Sequence, residues 1–200
     1  MHVYMGREIA SVLPCNGESA AWLSREERWL EEQPNLLLDA LSLRRGMKVA
    51  DVGAGTGFIT VQLARRVGRR GYVIATDLQS QMLDALLERP DLPANVIPVL
   101  STPTHTNLPT NALDLILLVD VYHEAPRPDL LLRDLRRALK SNGRLALVEY
   151  RKEDRRVPIN PLHKMSVRQI LMELQANRFR LVERYEHLPW QHLLIFMKQH

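Results

Sequence analysis

The run Val49-Ala50-Asp51-Val52 puts an acid inside an apolar stretch, and Gly53, Gly55 and Gly57 follow at every second position, with Ala54 between the first two. The apolar stretch reads as a short buried strand. The glycines let the backbone turn tightly and lie flat against a ligand. Residues from Phe58 to Ala64 then carry helical spacing. A dinucleotide fingerprint, G-x-G-x-x-G, needs a third glycine at position 58 or 60, where the chain has Phe58 and Thr60. No Gly-Lys-Ser/Thr follows, so the loop is not a Walker A loop. A carboxylate such as Asp51 repels a diphosphate and attracts an ammonium group.

A second acid, Asp77, ends the apolar run Val73-Ile74-Ala75-Thr76, 20 positions after Gly57. An acid there accepts hydrogen bonds from both hydroxyls of a ribose. Its other reading is the N-cap of the following helix. A third apolar run, Leu113 to Val119, leads into Asp120-Val121-Tyr122-His123-Glu124. Ligands in open α/β sheets sit beyond the carboxyl ends of the strands, so this segment is expected where cofactor and substrate meet. His123 beside Glu124 has the makings of a general acid–base pair, although adjacent side chains point apart and His123 has a second reading as a residue that shapes the pocket. Tyr150 ends a later strand and leads through Arg151 into a mixed charge run, either a solvated loop or a contact for an anionic substrate. His163 follows in a proline-punctuated connector. No H-x-x-x-H and no acid cluster stands out, so no metal is expected.

The elements that must hold these residues alternate. Strands are expected near 48–52, 72–76, 95–99, 113–119, 144–150, 179–185 and 191–197. Helices are expected near 57–68, 79–89, 128–140 and 166–177. That alternation predicts a parallel sheet with helices on both faces. Asn142-Gly143 reads as a turn before the fifth strand. The link His187-Leu188-Pro189-Trp190 is too short for anything but an antiparallel pair. Upstream, residues 7–13, 18–32 and 35–43 read as helices broken by Pro14, Gly17 and Pro34, with Ser24-Arg25-Glu26-Glu27 as a capping box. The organisation expected is one domain, a helical cap over 1–43 and an α/β core over 44–200.

Composition sets outer bounds. Two hundred residues suffice for a full core. The lone cysteine, Cys15, excludes an internal disulfide framework and a cysteine-cluster metal site. Arg7 and Glu8 interrupt the first apolar stretch, and no run is long enough to span a bilayer, so a cytoplasmic protein without a membrane partner is expected. The net charge of +4 invites a nucleic-acid partner. However, Arg65, Arg66, Arg69 and Arg70, like Arg133, Arg136, Arg137 and Lys140, gather at helix C-termini, where cations oppose the dipole. Few aromatics interleave with them.

The stretch from Val49 to Gly57, together with Thr76-Asp77, the strand from Asp114 to Asp120 and Leu139-Lys140-Ser141-Asn142-Gly143-Arg144, resembles the class I S-adenosylmethionine (SAM)-dependent methyltransferases. The closest likeness is to small bacterial enzymes similar to the quinone-biosynthesis methyltransferases. The resemblance implies a Rossmann-like three-layer sandwich, a mostly parallel seven-stranded sheet that ends in an antiparallel hairpin, with SAM as cofactor. It implies SAM contacts from Asp51, Gly53, Ala54, Gly55, Gly57, Asp77, Leu78, Asp120 and Tyr122. Many members place an acid against the adenine at the end of the third strand. This chain has none between Asp91 and Asp114, so Ser101, Thr102 or main-chain carbonyls are expected there. Tyr4 and Trp22 would belong to a lid of N-terminal helices and, with Tyr150, Arg151 and His163, to the substrate side. The implied activity is methyl transfer to a small molecule by in-line displacement. A non-catalytic SAM-binding protein or subunit, and a nucleic-acid or protein methyltransferase, remain the alternatives.

The missing third glycine and the acid at position 51 lead to an expected preference: S-adenosyl ligands bind, and NAD binds weakly or not at all. Calorimetric titrations with S-adenosylhomocysteine and with NAD check it. Tighter binding of NAD would refute the cofactor assignment.

Overall fold

The computed structural model describes residues 2–199. A seven-stranded sheet is built from β3 (Lys48–Val52), β4 (Tyr72–Asp77), β5 (Val96–Leu100), β6 (Leu113–Val119), β7 (Leu139–Tyr150), β8 (Phe179–Tyr185) and β9 (Gln191–Lys198). A separate two-stranded hairpin, β1 (Val3–Tyr4) and β2 (Arg7–Glu8), precedes it. The helices are α1 (Gly17–Ser24), α2 (Arg28–Glu31), α3 (Pro34–Ala40), α4 (Phe58–Val67), α5 (Ser80–Leu87), α6 (Pro128–Ala138) and α7 (Val167–Ala176). The strand order is β5-β4-β3-β6-β7-β9-β8. The first five of these run parallel, and β9 pairs antiparallel with both β7 and β8. This is the sheet expected from the alternation and the short final link. Among the described residues no helix is long and apolar enough to cross a membrane.

Both faces of the sheet are covered, and β6 shows how one strand serves two cores. Leu115 and Leu117 pack with Leu37, Leu38 and Leu41 near α3 and with Ile59, Leu63 and Val67 of α4. Their neighbours Ile116 and Leu118 pack with Leu131, Leu132 and Leu135 of α6 and with Ile170 and Leu174 of α7. Successive side chains of a strand point to opposite faces. A continuous apolar run therefore marks a strand buried on both sides.

The strand order reverses at β3 and β6. Chains leaving their carboxyl ends part to opposite sides and open a crevice there. Gly53, Asp77 and Asp120 follow or end β3, β4 and β6, so all three meet at this crevice.

Four local expectations need correction. Residues 7–13 are not a helix: Arg7 and Glu8 pair with β1, and the chain then runs without regular structure to Asn16. The segment is fixed by a distant partner. Arg7 Nε and Nη2 donate to Glu173 Oε1 and Oε2 on α7 at 2.8 and 3.1 Å, and Tyr122 Oη donates to Glu173 Oε2 at 2.8 Å. Residues 18–32 form two helices rather than one. Ser24 is the last residue of α1, and its hydroxyl meets Thr56 Oγ1 at 3.2 Å instead of capping a helix. Asn142 and Gly143 lie within β7: Leu113 pairs with Leu139 but Leu115 with Arg144, so the expected turn falls at a register shift inside a longer strand and not before it.

Glu173 is wholly buried and holds both Arg7 and Tyr122. Removing one partner of a buried ion pair strands the other charge, at a cost of about 3–5 kcal/mol. Glu173→Ala is therefore expected to lower the unfolding free energy by about that amount, read as an earlier midpoint in urea. A change below about 1 kcal/mol would refute the structural role of this ion pair.

Candidate functional site

A cavity of about 420 Å³ lies beyond the carboxyl ends of β3, β4 and β6. Its floor is the loop after β3. Gly53 has φ +76°, and an added Cβ would lie 2.5 Å from Val121 Cγ2, so the loop and the segment after β6 approach closely only because position 53 lacks a side chain. The amide nitrogens of Gly53 and Ala54 both donate to the Thr76 carbonyl, at 2.8 and 2.9 Å, which ties the loop to the neighbouring strand. Its roof comes from the N-terminal segments: Val12, Leu13, Trp22, Leu23 and Arg28 all face the cavity.

Three strand-end carboxylates line it. Asp77 Oδ2 accepts from the Gly55 amide at 2.9 Å and Oδ1 from the Gln79 amide at 3.0 Å. Burial raises its pKa against these two donors. Helix α5 begins only at Ser80, so Asp77 makes an Asx turn rather than an N-cap. Asp51 is buried, and Thr60 Oγ1 donates to its Oδ2 at 2.6 Å. Burial pushes its pKa up to about 6, and Asp77 nearby adds to the shift. Asp120 is a non-glycine residue with φ +54°. Its Oδ2 accepts from Gln191 Nε2 at 2.6 Å, while its Oδ1 is buried without a partner. Burial, then Glu32 and Glu149, hold its pKa well above the ordinary range.

A second polar group reaches the same cavity from the substrate side. His123, on a single 3-10 turn (Tyr122–Glu124), is buried. Its Nδ1 lies 2.6 Å from Glu149 Oε2, and its backbone amide donates to Glu149 Oε1 at 3.2 Å. Its Nε2 lies 3.0 Å from His163 Nδ1. Burial pulls the His123 imidazole down, but the Glu149 carboxylate outweighs it and leaves the pKa raised. The residue that orients His123 is thus Glu149, at the end of β7, and not Glu124, whose Oε1 lies 3.8 Å from Nε2. The spacing concealed this pair because 26 residues separate them. A third network closes the roof. Arg28 donates to Glu32 through Nε and Nη2, and Tyr150 Oη donates to Glu32 Oε1 at 3.0 Å.

Of the residues expected at the site, Trp22, Asp51, Gly53, Ala54, Gly55, Asp77, Leu78, Ser101, Thr102, Asp120, His123, Glu124, Tyr150 and His163 line the cavity. Four are elsewhere. Gly57 packs against α5, where a Cβ would meet Leu86 Cδ1 at 2.2 Å. Tyr122 points into the core toward Glu173. The Tyr4 hydroxyl accepts from Asn177 Nδ2 at 2.8 Å, near the end of α7. Arg151 is held by Glu186 and His192. Arg28 lines the cavity, Glu32, Glu149 and Gln191 hold the lining residues Tyr150, His123 and Asp120, and none of the four had a local motif to announce it. Against the expectation of no metal, His123, Glu124 and His163 gather their ligand atoms in one place.

Residues 50–147 match the family model described as a methyltransferase domain. The chain is 34% identical over 119 residues to the ubiquinone/menaquinone biosynthesis C-methyltransferase UbiE of Idiomarina loihiensis, which covers 58% of this chain and 47% of that protein. The chain thus spans about half the length of the curated relatives it matches. A SAM-dependent methyltransferase from Aquifex aeolicus superposes with a TM-score of 0.86 at 27% identity, over 93% of this chain and all of that one. The (4+2)-cyclase SpnF shares the fold alone, with a TM-score of 0.69 at 17% identity over 83% of this chain and 80% of that one.

Asp51 provides a pH test of the buried carboxylates. Its folded pKa lies above the ordinary 3.8, so its contribution to stability is fully present below about pH 4 and is lost as pH rises through about 6. Asp51→Asn has no such loss. The variant is expected to gain on the wild type by up to roughly 3 kcal/mol between pH 4 and pH 7. Parallel denaturation profiles of the two proteins across that range would refute it.

Proposed function

We propose that this chain, whose residues 50–147 are a class I SAM-dependent methyltransferase domain, transfers the methyl group of SAM to a small molecule held beneath its N-terminal cap. The observation that carries the reading is the set of carboxylates at the cavity. Asp51, Asp77 and Asp120 face it with two backbone amides, one threonine and one glutamine as their direct partners, and Asp120 Oδ1 has none. Such a wall rejects phosphates and suits a ligand with hydroxyl donors and positive charge. SAM offers two ribose hydroxyls, an ammonium and a sulfonium, and no phosphate. The donors and acceptors present therefore fit it.

In this reading Asp77 takes the ribose hydroxyls, the loop from Gly53 to Gly55 carries the aminoacyl tail beside Asp51, and Leu78, Ser101 and Thr102 flank the adenine. Bound there, SAM supplies a methyl group already activated by its sulfonium. The work left to the protein is orientation, desolvation and preparation of the acceptor. Trp22, Leu23 and Leu13 keep water from the roof, and the bridge from Arg28 through Glu32 to Tyr150 fixes that roof to β7. Glu149 accepts a hydrogen bond from the Nδ1–H of neutral His123, the tautomer that leaves the lone pair of Nε2 at the cavity wall, beside Glu124 and His163. The acceptor's nucleophile meets this rim.

Cavity size supports a small acceptor. About 420 Å³ sits low in the range of roughly 300–1,000 Å³ typical of ligand pockets. A molecule as large as SAM leaves little of it free, and the cap covers what is left. The relatives are named as C-methyltransferases of ubiquinone and menaquinone biosynthesis, whose products carry a quinone ring. A ring of that kind, hydroxylated at the end that meets His123, is the acceptor class that fits here.

The test separates cofactor from catalysis. Asp77→Ala should weaken S-adenosylhomocysteine binding by about 1.5–3 kcal/mol, the worth of charge-assisted hydrogen bonds, in a protein that still melts cooperatively. Wild type incubated with SAM and a library of hydroxylated aromatics should release S-adenosylhomocysteine. An unchanged dissociation constant removes Asp77 from the site, and cofactor binding with no turnover on any acceptor favours the non-catalytic alternative.

A further inference from the structure

We propose that His123, Glu124 and His163 form a binding site for one first-row divalent cation, with its open positions toward the cavity. The three ligand atoms already stand at the spacing one ion imposes. His123 Nε2 and His163 Nδ1 are 3.0 Å apart, His163 Nδ1 and Glu124 Oε1 are 3.4 Å apart, and His123 Nε2 and Glu124 Oε1 are 3.8 Å apart. Ligands about 2.0–2.2 Å from a shared metal lie roughly 3–4 Å from one another. Two imidazoles and one carboxylate are a donor set for zinc, iron, cobalt or manganese, and three protein ligands leave room for an exogenous oxygen.

The surroundings carry the inference further. A histidine ligand is usually oriented by a carboxylate on its other nitrogen, and Glu149 is that carboxylate for His123, 2.6 Å from Nδ1 and wholly buried. Hydrogen bonds within the cluster cannot use all three contacts at once. With the His123 proton on Nδ1, a His163 Nδ1–H can point at His123 Nε2, but it cannot also serve Glu124. The Glu124 Oε1 is then left with the Leu13 amide at 3.2 Å. One cation satisfies all three ligand atoms together. The His163 side chain is 29% exposed, which gives an ion a path in from solvent. Glu124 and His163 sit on separate elements, the turn after β6 and the connector before α7, and both line the cavity.

The binding itself does not depend on the methyl-transfer reading; its purpose does. An acceptor hydroxyl that completes the coordination would lose its proton to solvent more readily and present an oxyanion, or the ring carbon beside it, to the methyl group. His123 then acts as a ligand, and general-base chemistry by its imidazole is not required.

The experiment uses the whole chain, stripped with a chelator and titrated with cobalt(II) and zinc(II) alone. One equivalent is expected to bind, with a cobalt visible spectrum that shows nitrogen and oxygen ligands. His163→Ala and Glu124→Gln should abolish that spectrum while their melting curves stay close to wild type. Glu149→Gln should keep the stoichiometry and weaken binding by about 10–100-fold. His187→Ala, exposed and not a member of the cluster, should change nothing. Cobalt binding that survives in both His163→Ala and Glu124→Gln overturns the site, and so does a wild type that binds no ion. S-adenosylhomocysteine titrated into the same metal-free protein separates the two claims: its retention in a protein that takes up no ion leaves the cofactor reading standing and ends this one.

Discussion

Burying a carboxylate costs several kcal/mol unless donors or a cation meet it, and this molecule buries four of them, Glu32, Asp51, Asp77 and Glu149, around one crevice, with the half-buried Asp120 among them. Much of the architecture follows from that constraint. The glycine loop turns so that the Gly55 amide reaches Asp77. Helix α4 begins so that Thr60 reaches Asp51. Arg28 meets Glu32 one helical turn away, Tyr150 reaches the same carboxylate from β7, and Gln191 is carried from β9 to Asp120. One buried oxygen of Asp120 remains without a protein partner. The parallel sheet makes this concentration possible, because strands that share a direction deliver their end residues to the same edge.

The cofactor half was legible because its signals are local. An acid within a strand, alternating glycines and an acid at the end of the next strand each follow from backbone geometry within a few residues, and the structure brings Asp51, Gly53, Gly55 and Asp77 together as expected. The substrate half was legible only in part. His123 stood out as a type of residue, but its partner Glu149 arrives from β7, a strand placed beside β6 by sheet order. No spacing rule links them. The same holds for His163 and for Gln191. Residues 7–13 failed for the opposite reason. Local pattern suggested a helix there, and a long-range ion pair to Glu173 decides otherwise.

The matches to known proteins divide along the same line. The family model ends at 147, before Glu149, Tyr150 and His163, and begins after the cap with Trp22 and Arg28. That match takes in His123 and Glu124 along with the glycine loop and Asp77, and leaves out the residues that close the cavity from the N-terminal segments and from the chain after β7. SpnF, named as a cyclase, shares the fold with proteins named as methyltransferases, so the fold by itself does not set the reaction.

The position of β9 has a consequence for how the molecule assembles. This strand comes late in the chain yet lies inside the sheet, between β7 and β8, with Leu193 to Phe196 wholly buried. A nascent chain that has emerged only through residue 185 has β7 and β8 but not the strand that separates them, so β7 still presents an unpaired edge. It also lacks Gln191, so Asp120 has no donor on either oxygen. Synthesis from the N-terminus thus leaves the cavity incomplete until β9 has emerged. Until β9 docks, the ribosome-bound intermediate carries an open edge of the kind that recruits chaperones or other strands.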